Sequence, residues 1–465
     1  MYYRDLRDWI QALEKEGDLL RIKEEVKLEP DVGAIGRAVC DVEGPGIFIE
    51  NPSGIKTPLT ICLHASWRRA AMAMGLPKES TRSEQIQAWI DAYKRYPVKS
   101  KMVNDAPCKE TVLTGDEVNI FQFPIPRCNF NDASFYLVKT VCISKDPDTG
   151  WVNVGMYRMM LLNRNRIAIM VSTAAAHFRQ HWRKWHEKGK KMEVAVALGT
   201  EPVLPMVAGM RIPAEWNEFD YAGAVRNEPE ELVKAETVDL PVPARAEIVL
   251  EGVLNIDTPV LEGPFGEHPG SYSSYYWAPV FEVKAITHRN NPINDTLFCG
   301  RPPSEANYMT MLSKVAGVQE ELKRMMPQIT EIAFHYPYLY NVVIQGKWGH
   351  NGEPKRAMFA LWGASFGTPM KQVTIVDEDI DPWDASQVSW AVCTRCQANE
   401  DIVMVPGCDP VLDPAREEDY TNCKLGIDAT KARPPFYRHK HVDWIYPGEG
   451  TEEWKEKILK QWERR

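Results

Sequence analysis

Two carboxylates, Glu262 and Glu267, stand five positions apart in the stretch LEGPFGEH, Leu261 to His268. That spacing puts them on different faces of a regular strand and about 140° apart around a helix, so neither element lets them converge. Gly263, Pro264 and Gly266 between them are residue types that fold a chain sharply, and a turn here can aim both carboxylates into one cavity. Two carboxylates in one pocket titrate apart: one stays charged while the other keeps a proton to donate near neutral pH. A pair of glutamates bracketing a turn also reads as solvated loop, and spacing alone leaves both readings open.

The run WVNVGMYRMM carries an amide, Asn153, and a permanent cation, Arg158, in an otherwise apolar strand pattern. Buried polar groups need partners. Arg158 can hold carboxylates ionised and clamp a substrate carboxylate through its planar fork, or it can leave the sheet for solvent. The two residues are an odd number of positions apart, so sharing one site demands a bulge, for which Gly155 is the natural place. His177 follows AAA at the first turn of an expected helix, and Glu218 sits in WNEFDY. Two oxygen donors and one imidazole suit Mn²⁺ or Mg²⁺ better than a thiol-seeking metal, and such an ion often bridges to a phosphate, hence to a phosphorylated cofactor. Nothing in the spacing shows that the three meet.

The elements that would position these groups follow from periodicity. An amphipathic helix over Leu6, Trp9, Ile10 and Leu13, stopped by Gly17, opens an α/β unit placed at residues 1–110, with strands at LLRIKEEV, GIFIEN and LTICLH. Residues 111–305 are β-rich, with FYLVKTVCIS, WVNVGMYRMMLL, IAIMVS, EVAVAL, EIVLEGVLNI and FEVKAITH expected as strands of a barrel. A helix at 306–327 leads to a second α/β domain and tail at 328–465, so the fold class is mixed α/β. The Tyr-rich SYSSYYW at 271–277 can line the same cavity, but it reads first as an aromatic strand packed in a core.

With 465 residues, 44% of them hydrophobic, the chain buries a sizeable core without staples. Its net charge of −9 repels a phosphate backbone, which argues against nucleic acid as a partner. The charged N-terminus lacks the character of a signal or transit peptide, no stretch approaches the roughly 20 apolar residues of a membrane span, and the ten cysteines are scattered, so a reduced, cytoplasmic setting is expected.

Six blocks in order, WVNVGMYR, AAAHFRQ, NEFDYAGA, VKAETVDLPVPARAEIVLEG, LEGPFGEHPG and VDEDIDPWDASQVSWAVCTR, between a DLRDWIQALEKEGDLLRI opening and a KLGIDATK close, resemble the UbiD family of prenylated-FMN-dependent (de)carboxylases. The resemblance implies a split β-barrel flavin domain, prenylated FMN held by its phosphate through Mn²⁺ (or Mg²⁺), with K⁺ nearby. It places the metal ligands on Asn153, His177 and Glu218, and the catalytic Glu–Arg–Glu network on Glu262, Arg158 and Glu267, with Glu267 as proton donor. The implied cofactor-binding set adds Met156, Tyr157, Met210 and Lys371, the last approaching the phosphate. The cofactor would act as electron sink while the protein orients and protonates.

What the resemblance implies for partners is a small aromatic acid and CO₂, a flavin prenyltransferase that supplies the cofactor, and further copies of the chain in a homodimer or larger homo-oligomer through the C-terminal domain. His268, Asn307 and Tyr308 are the expected substrate-pocket residues, and His268 would suit a phenol, a second carboxylate or a heteroaromatic nitrogen. Two rival readings are a flavin- and metal-binding subunit that needs partner chains for activity, and a metal-dependent hydrolase built on Asn153, His177 and Glu218. Either direction of the reversible reaction is compatible with the sequence.

Overall fold

Leu6, Trp9, Ile10 and Leu13 line the buried face of the helix Leu6–Lys15, which Asp5 caps by accepting from the Asp8 N–H at 2.9 Å. Gly17 ends it in the left-handed region at φ 72°, as the sequence pattern requires. The computed structural model describes residues 2–171, 176–335, 341–365, 367–409, 412–416, 418, 420–431 and 451–462. The N-terminal sheet contains Leu19–Val26, Gly46–Pro52 and Leu59–Ile61, and the distant pair Asn294–Asp295 joins its edge parallel to Leu59–Ile61.

The central unit is one curled sheet. Its strand order runs Tyr136–Leu137, Met159–Asn163, Arg166–Ile169, Tyr276–His288, Ile248–Glu262, Met192–Leu198, Val141–Lys145 and Val152–Gly155, with Thr111–Thr114 pairing on Tyr276–His288. Here the expected single strand WVNVGMYRMMLL is corrected: it is two strands, one last in that order and the other second, and residues 156–158 carry the chain between them. FYLVKTVCIS likewise divides into Tyr136–Leu137 and Val141–Lys145. No bulge is needed at Gly155, because the parity of side chains is lost at the crossing. Gly155 matters for another reason. A Cβ there would run into the Tyr157 ring and hydroxyl, so any larger residue forces that side chain to move. The Thr140 hydroxyl fastens the two crossings together, donating to the Tyr157 carbonyl at 2.7 Å and accepting from the Tyr157 N–H at 3.1 Å.

The helix Glu305–Met325 leaves the barrel for the C-terminal unit, a five-stranded sheet ordered Ile329–Phe334, Asn341–Gly346, Gln372–Asp377, Asn422–Asp428 and Ile402–Cys408. Glu305 is fully buried and locks the start of this helix to the N-terminal sheet and barrel. It accepts from the Cys62 and His64 N–H groups at 2.8 and 3.0 Å and from Lys139 Nζ at 3.3 Å. One apolar cluster runs from Leu6 and Trp9 through Val154 and Leu312 to Ile375, so the three regions share a core.

Candidate active site

The turn in LEGPFGEH does converge its carboxylates, and Arg158 is where they meet. Glu262 ends the strand Ile248–Glu262 with its side chain wholly buried, and receives a two-pronged contact from Arg158: Nε to Oε1 at 2.9 Å and Nη2 to Oε2 at 2.7 Å. Glu267 takes the remaining nitrogen, Nη1, through Oε1. Gly263 begins the reversal at φ 94°, where a side chain would press on the Ser274 carbonyl. Backbone bonds then pin the turn: Gly266 N–H to Asp132 Oδ1 at 2.8 Å, Glu267 N–H to the Ser271 carbonyl at 2.9 Å, and Ser273 N–H to the Phe265 carbonyl at 2.9 Å.

The network has members the sequence reading missed. Tyr136 donates to Glu262 Oε1 at 3.1 Å, the Ser273 hydroxyl accepts from Arg158 Nη2 at 3.1 Å, and the guanidinium lies 5.1 Å from the Phe265 ring centre. The Glu267 carboxylate, a His268 ring nitrogen and the Cys299 sulfur lie within 4.8 Å of one another. No local spacing marks Tyr136 or Cys299, which arrive from the strand Tyr136–Leu137 and from the loop that precedes the helix Glu305–Met325. Burial raises the Glu267 carboxyl above the ordinary carboxylate range, against the pull of Arg158. The guanidinium itself is raised: burial alone would lower it, but its bond to Glu262 and the charge of Glu267 prevail.

Asn153, His177 and Glu218 come from three elements to one end of the Val152–Gly155 strand. Asn153 is on that strand, 2% exposed, and its amide nitrogen has no hydrogen-bond partner among the described residues. Glu218 begins the helix Glu218–Arg226 and accepts from the Val154 N–H at 2.8 Å. His177 lies in the first turn of the helix Ala176–Glu187, its ring 4.9 Å from that of Trp151, whose indole N–H donates to the Trp216 carbonyl at 2.7 Å. Residues 172–175, which precede this helix in the AAAHFRQ block, lie outside the described residues. Burial pushes the Glu218 carboxyl up to about 8, with only backbone N–H groups opposing it. Burial also holds the His177 imidazole below its ordinary value, helped by Arg211. A neutral imidazole, an amide and a buried carboxylate lacking a cation make a donor set that a divalent oxygen-and-nitrogen-seeking ion completes.

Met156 is tied to the loop that carries Met210, its N–H donating to the Ala208 carbonyl at 2.8 Å, and the Tyr157 phenol is raised chiefly by burial, with Asn153 opposing. Lys371 pairs with Asp413 at 2.7 Å. Asp413 lines an open cleft of about 270 Å³ between the barrel and the C-terminal unit, together with Glu267, Tyr272, Ser273 and Arg416. The SYSSYYW segment therefore does not pack as a core strand: Tyr272, Tyr275 and Trp277 are exposed, because the preceding reversal carries the segment out along the cleft wall. Asn307 and Tyr308 also part company, being successive on a helix. Tyr308 packs into the cluster against the N-terminal sheet, its ring 4.8 Å from Trp67, which takes it out of the expected pocket. The Asn307 side-chain oxygen accepts from Ser304 N–H and Oγ, both at 2.9 Å, while its buried amide nitrogen has no partner among the described residues.

Models of the 3-octaprenyl-4-hydroxybenzoate carboxy-lyase match the chain in three consecutive pieces: the N-terminal domain at 10–89, the Rift-related domain at 100–302 and the C-terminal domain at 307–429. The chain belongs to the UbiD family of carboxy-lyases. The phenolic acid decarboxylase of Sedimentibacter hydroxybenzoicus is 34% identical, the match covering 98% of this chain and 97% of that one, and that of Bacillus subtilis is 34% identical with 99% of both covered. Among solved structures, the vanillic acid decarboxylase of S. hydroxybenzoicus in its open form superposes with a TM-score of 0.90 at 33% identity over 100% of both chains. The UbiD-class enzyme HmfF from Pelotomaculum thermopropionicum in complex with FMN gives 0.84 at 30% identity, covering 96% of this chain and 98% of that one. The mixed α/β architecture expected from the sequence is that of these UbiD-class relatives. Among the described residues no helix is long and apolar enough to cross a membrane.

Proposed function

We propose that this UbiD-family carboxy-lyase interconverts an aromatic or heteroaromatic carboxylic acid and its decarboxylated product plus CO₂, using prenylated FMN. The carrying observation is Arg158 fixed between a buried, doubly bonded Glu262 and a Glu267 that faces the cleft. The phenolic acid decarboxylases and the flavin-bound relative are consistent with it. Asn153, His177 and Glu218 would hold Mn²⁺ or Mg²⁺ at the cofactor phosphate, with K⁺ as a second cation and Met156, Tyr157, Arg158, Met210 and Lys371 around the flavin. When bound, prenylated FMN supplies the electron sink that the aromatic ring lacks.

The chain's own residues do the rest. Arg158 receives the substrate carboxylate and orients it, and Glu262 holds the guanidinium plane in place by its two bonds. As the carbon–carbon bond breaks, the pair it leaves on the ring carbon takes a proton from the Glu267 carboxyl, which burial keeps protonated into a higher pH range than a free glutamate. In carboxylation the same group, ionised, removes that proton. Exposed Trp454, Ile458, Leu459 and Trp462 on the helix Thr451–Trp462 support a homo-oligomer built through the C-terminal region.

The test is expression together with a flavin prenyltransferase, followed by measurement of CO₂ release from a panel of aromatic acids by the flavin-loaded protein. Release from one or more is expected; none, with cofactor bound, would overturn the assignment. A second reading, a subunit inactive without partner chains, is favoured by one S. hydroxybenzoicus structure being described as ShVdcCD with truncated ShVdcD. Activity that appears only on adding a partner chain would select it.

A further inference from the structure

The segment between the strand Asn294–Asp295 and the helix Glu305–Met325 brings Cys299, 5% exposed, against the turn that carries Glu267 and His268. A carboxylate oxygen, a ring nitrogen and the thiol sulfur of these three lie within 4.8 Å of one another. Bonds of about 2.0 to 2.3 Å to one tetrahedral ion set neighbouring ligands about 3.3 to 3.8 Å apart, so small side-chain rotations close the three on a single cation. One brace fixes both halves of the cluster. Asn129 Nδ2 donates to the Cys299 carbonyl at 3.0 Å, while Asp132 accepts from the Asn129 N–H at 2.9 Å and from the Gly266 N–H at 2.8 Å. The turn is as tight on its other side, where a Cβ on Gly270, at φ 89°, would lie 3.0 Å from Arg301 Cα. Ligands held from behind in this way are oriented before an ion arrives. Glu267 also lines the cleft, which gives the ion a way in.

We infer that Glu267, His268 and Cys299 form a binding site for a thiophilic divalent cation of the zinc class, and that the bound ion takes the carboxylate of the proposed proton donor and stops turnover. Thiolate, imidazole and carboxylate are the donors that Zn²⁺ favours, whereas the amide, imidazole and carboxylate of Asn153, His177 and Glu218 suit Mn²⁺ or Mg²⁺. The two donor sets therefore select different ions. Burial, with the Glu267 charge next, raises the Cys299 thiol well above its ordinary value, and burial first of all keeps the His268 imidazole neutral. A divalent ion reverses the first effect and uses the second: the thiol proton leaves to solvent as the sulfur–metal bond forms, and the imidazole lends a lone pair. Glu267 binds as the carboxylate, so the proton that it would deliver to the ring carbon is gone. Binding of the ion stands on this geometry alone, and the loss of turnover rests on the decarboxylase reading.

The experiment compares the flavin- and manganese-loaded wild type with Cys299→Ser and His268→Asn. Co²⁺ serves as a spectroscopic substitute for Zn²⁺, read by the thiolate-to-cobalt charge-transfer band in difference absorbance. Zn²⁺ and Mg²⁺ are then titrated against CO₂ release, with manganese per chain measured after each titration. Wild type should show the band, lose turnover to Zn²⁺ but not to Mg²⁺, and keep its manganese. Each variant, scored against its own rate without Zn²⁺, should need about 10- to 100-fold more ion for half-occupancy and for half-inhibition. No band in wild type, a band or an inhibition midpoint unchanged in either variant, or inhibition that tracks loss of manganese overturns the inference. Absence of CO₂ from every acid, with Co²⁺ binding still dependent on Cys299 and His268, would instead sink the decarboxylase reading alone.

Discussion

Glu262→Gln perturbs the network without changing its shape. Arg158 now gives Glu262 two bonds of 2.9 and 2.7 Å and gives Glu267 a single nitrogen. In the variant the guanidinium charge is left to Glu267 alone, and the repulsion that Glu262 exerts on the Glu267 carboxylate is gone. Two carboxylates bridged by one guanidinium are about 6 Å apart, so at an effective dielectric of about 20 the lost repulsion is about 2.8 kcal/mol, or about 2 pKa units at most. Glu267 is 13% exposed, so water screens part of this, and the expected fall is about 1 to 2 units. Because the proposed proton donor must be protonated, the descending alkaline limb of kcat against pH moves towards acid by the same amount. On that limb turnover at a fixed pH drops by about 10- to 100-fold, and it recovers as the pH is lowered. That recovery separates a shifted titration from damaged folding. An alkaline limb that stays in place, or moves towards higher pH, refutes the proposed division of roles between the two glutamates.

Gly155→Ala drives a Cβ into the Tyr157 hydroxyl and should lower stability by about 1 to 3 kcal/mol, read as a fall in Tm together with reduced flavin content; an unchanged Tm would mean the barrel corner relaxes freely. Glu218→Gln removes the charge from the expected metal site, and manganese per chain, by elemental analysis, should fall about tenfold or more along with flavin absorbance. His64 and His268 are held down by burial at about 4 and about 3. Both stay neutral in the fold and take up protons on unfolding, so their contribution is full above the ordinary value of 6.5 and is lost as pH falls towards those values. Two protons amount to about 2.7 kcal/mol per pH unit between about pH 6 and 4 in urea unfolding, and His268→Asn should remove about half of that slope.

Much of this was legible in the chain itself, for physical reasons that differ by residue. Leu6, Trp9, Ile10 and Leu13 announce their helix because a helix has only one face to bury. The convergence of Glu262 and Glu267 was readable from Gly263, Pro264 and Gly266, since only a sharp reversal reconciles their spacing. Spacing offered the Arg158 partnership only as one of two readings and the resemblance named it; its geometry depends on a sheet that curls until its second and last strands meet through residues 156–158. Treating that segment as one strand produced the parity problem, which the crossing dissolves. For SYSSYYW the cavity-wall reading holds and the core-strand reading fails: aromatic alternation resembles a core strand, but the pinned turn before it exposes the segment. Tyr308 was misplaced because its neighbour Asn307 faces the other way on the same helix turn, a distinction that needs the helix's rotational setting. Tyr136 and Cys299 carry no local signature at all, and they join the site through long-range packing.

The most direct test replaces the proposed proton donor itself. Glu267→Gln should purify with the same flavin absorbance as wild type, since the expected metal and phosphate groups are elsewhere. Its release of CO₂ from the best substrate should fall by about 10² to 10⁴, the range of a lost general acid. Equal flavin content with unimpaired turnover would contradict the account.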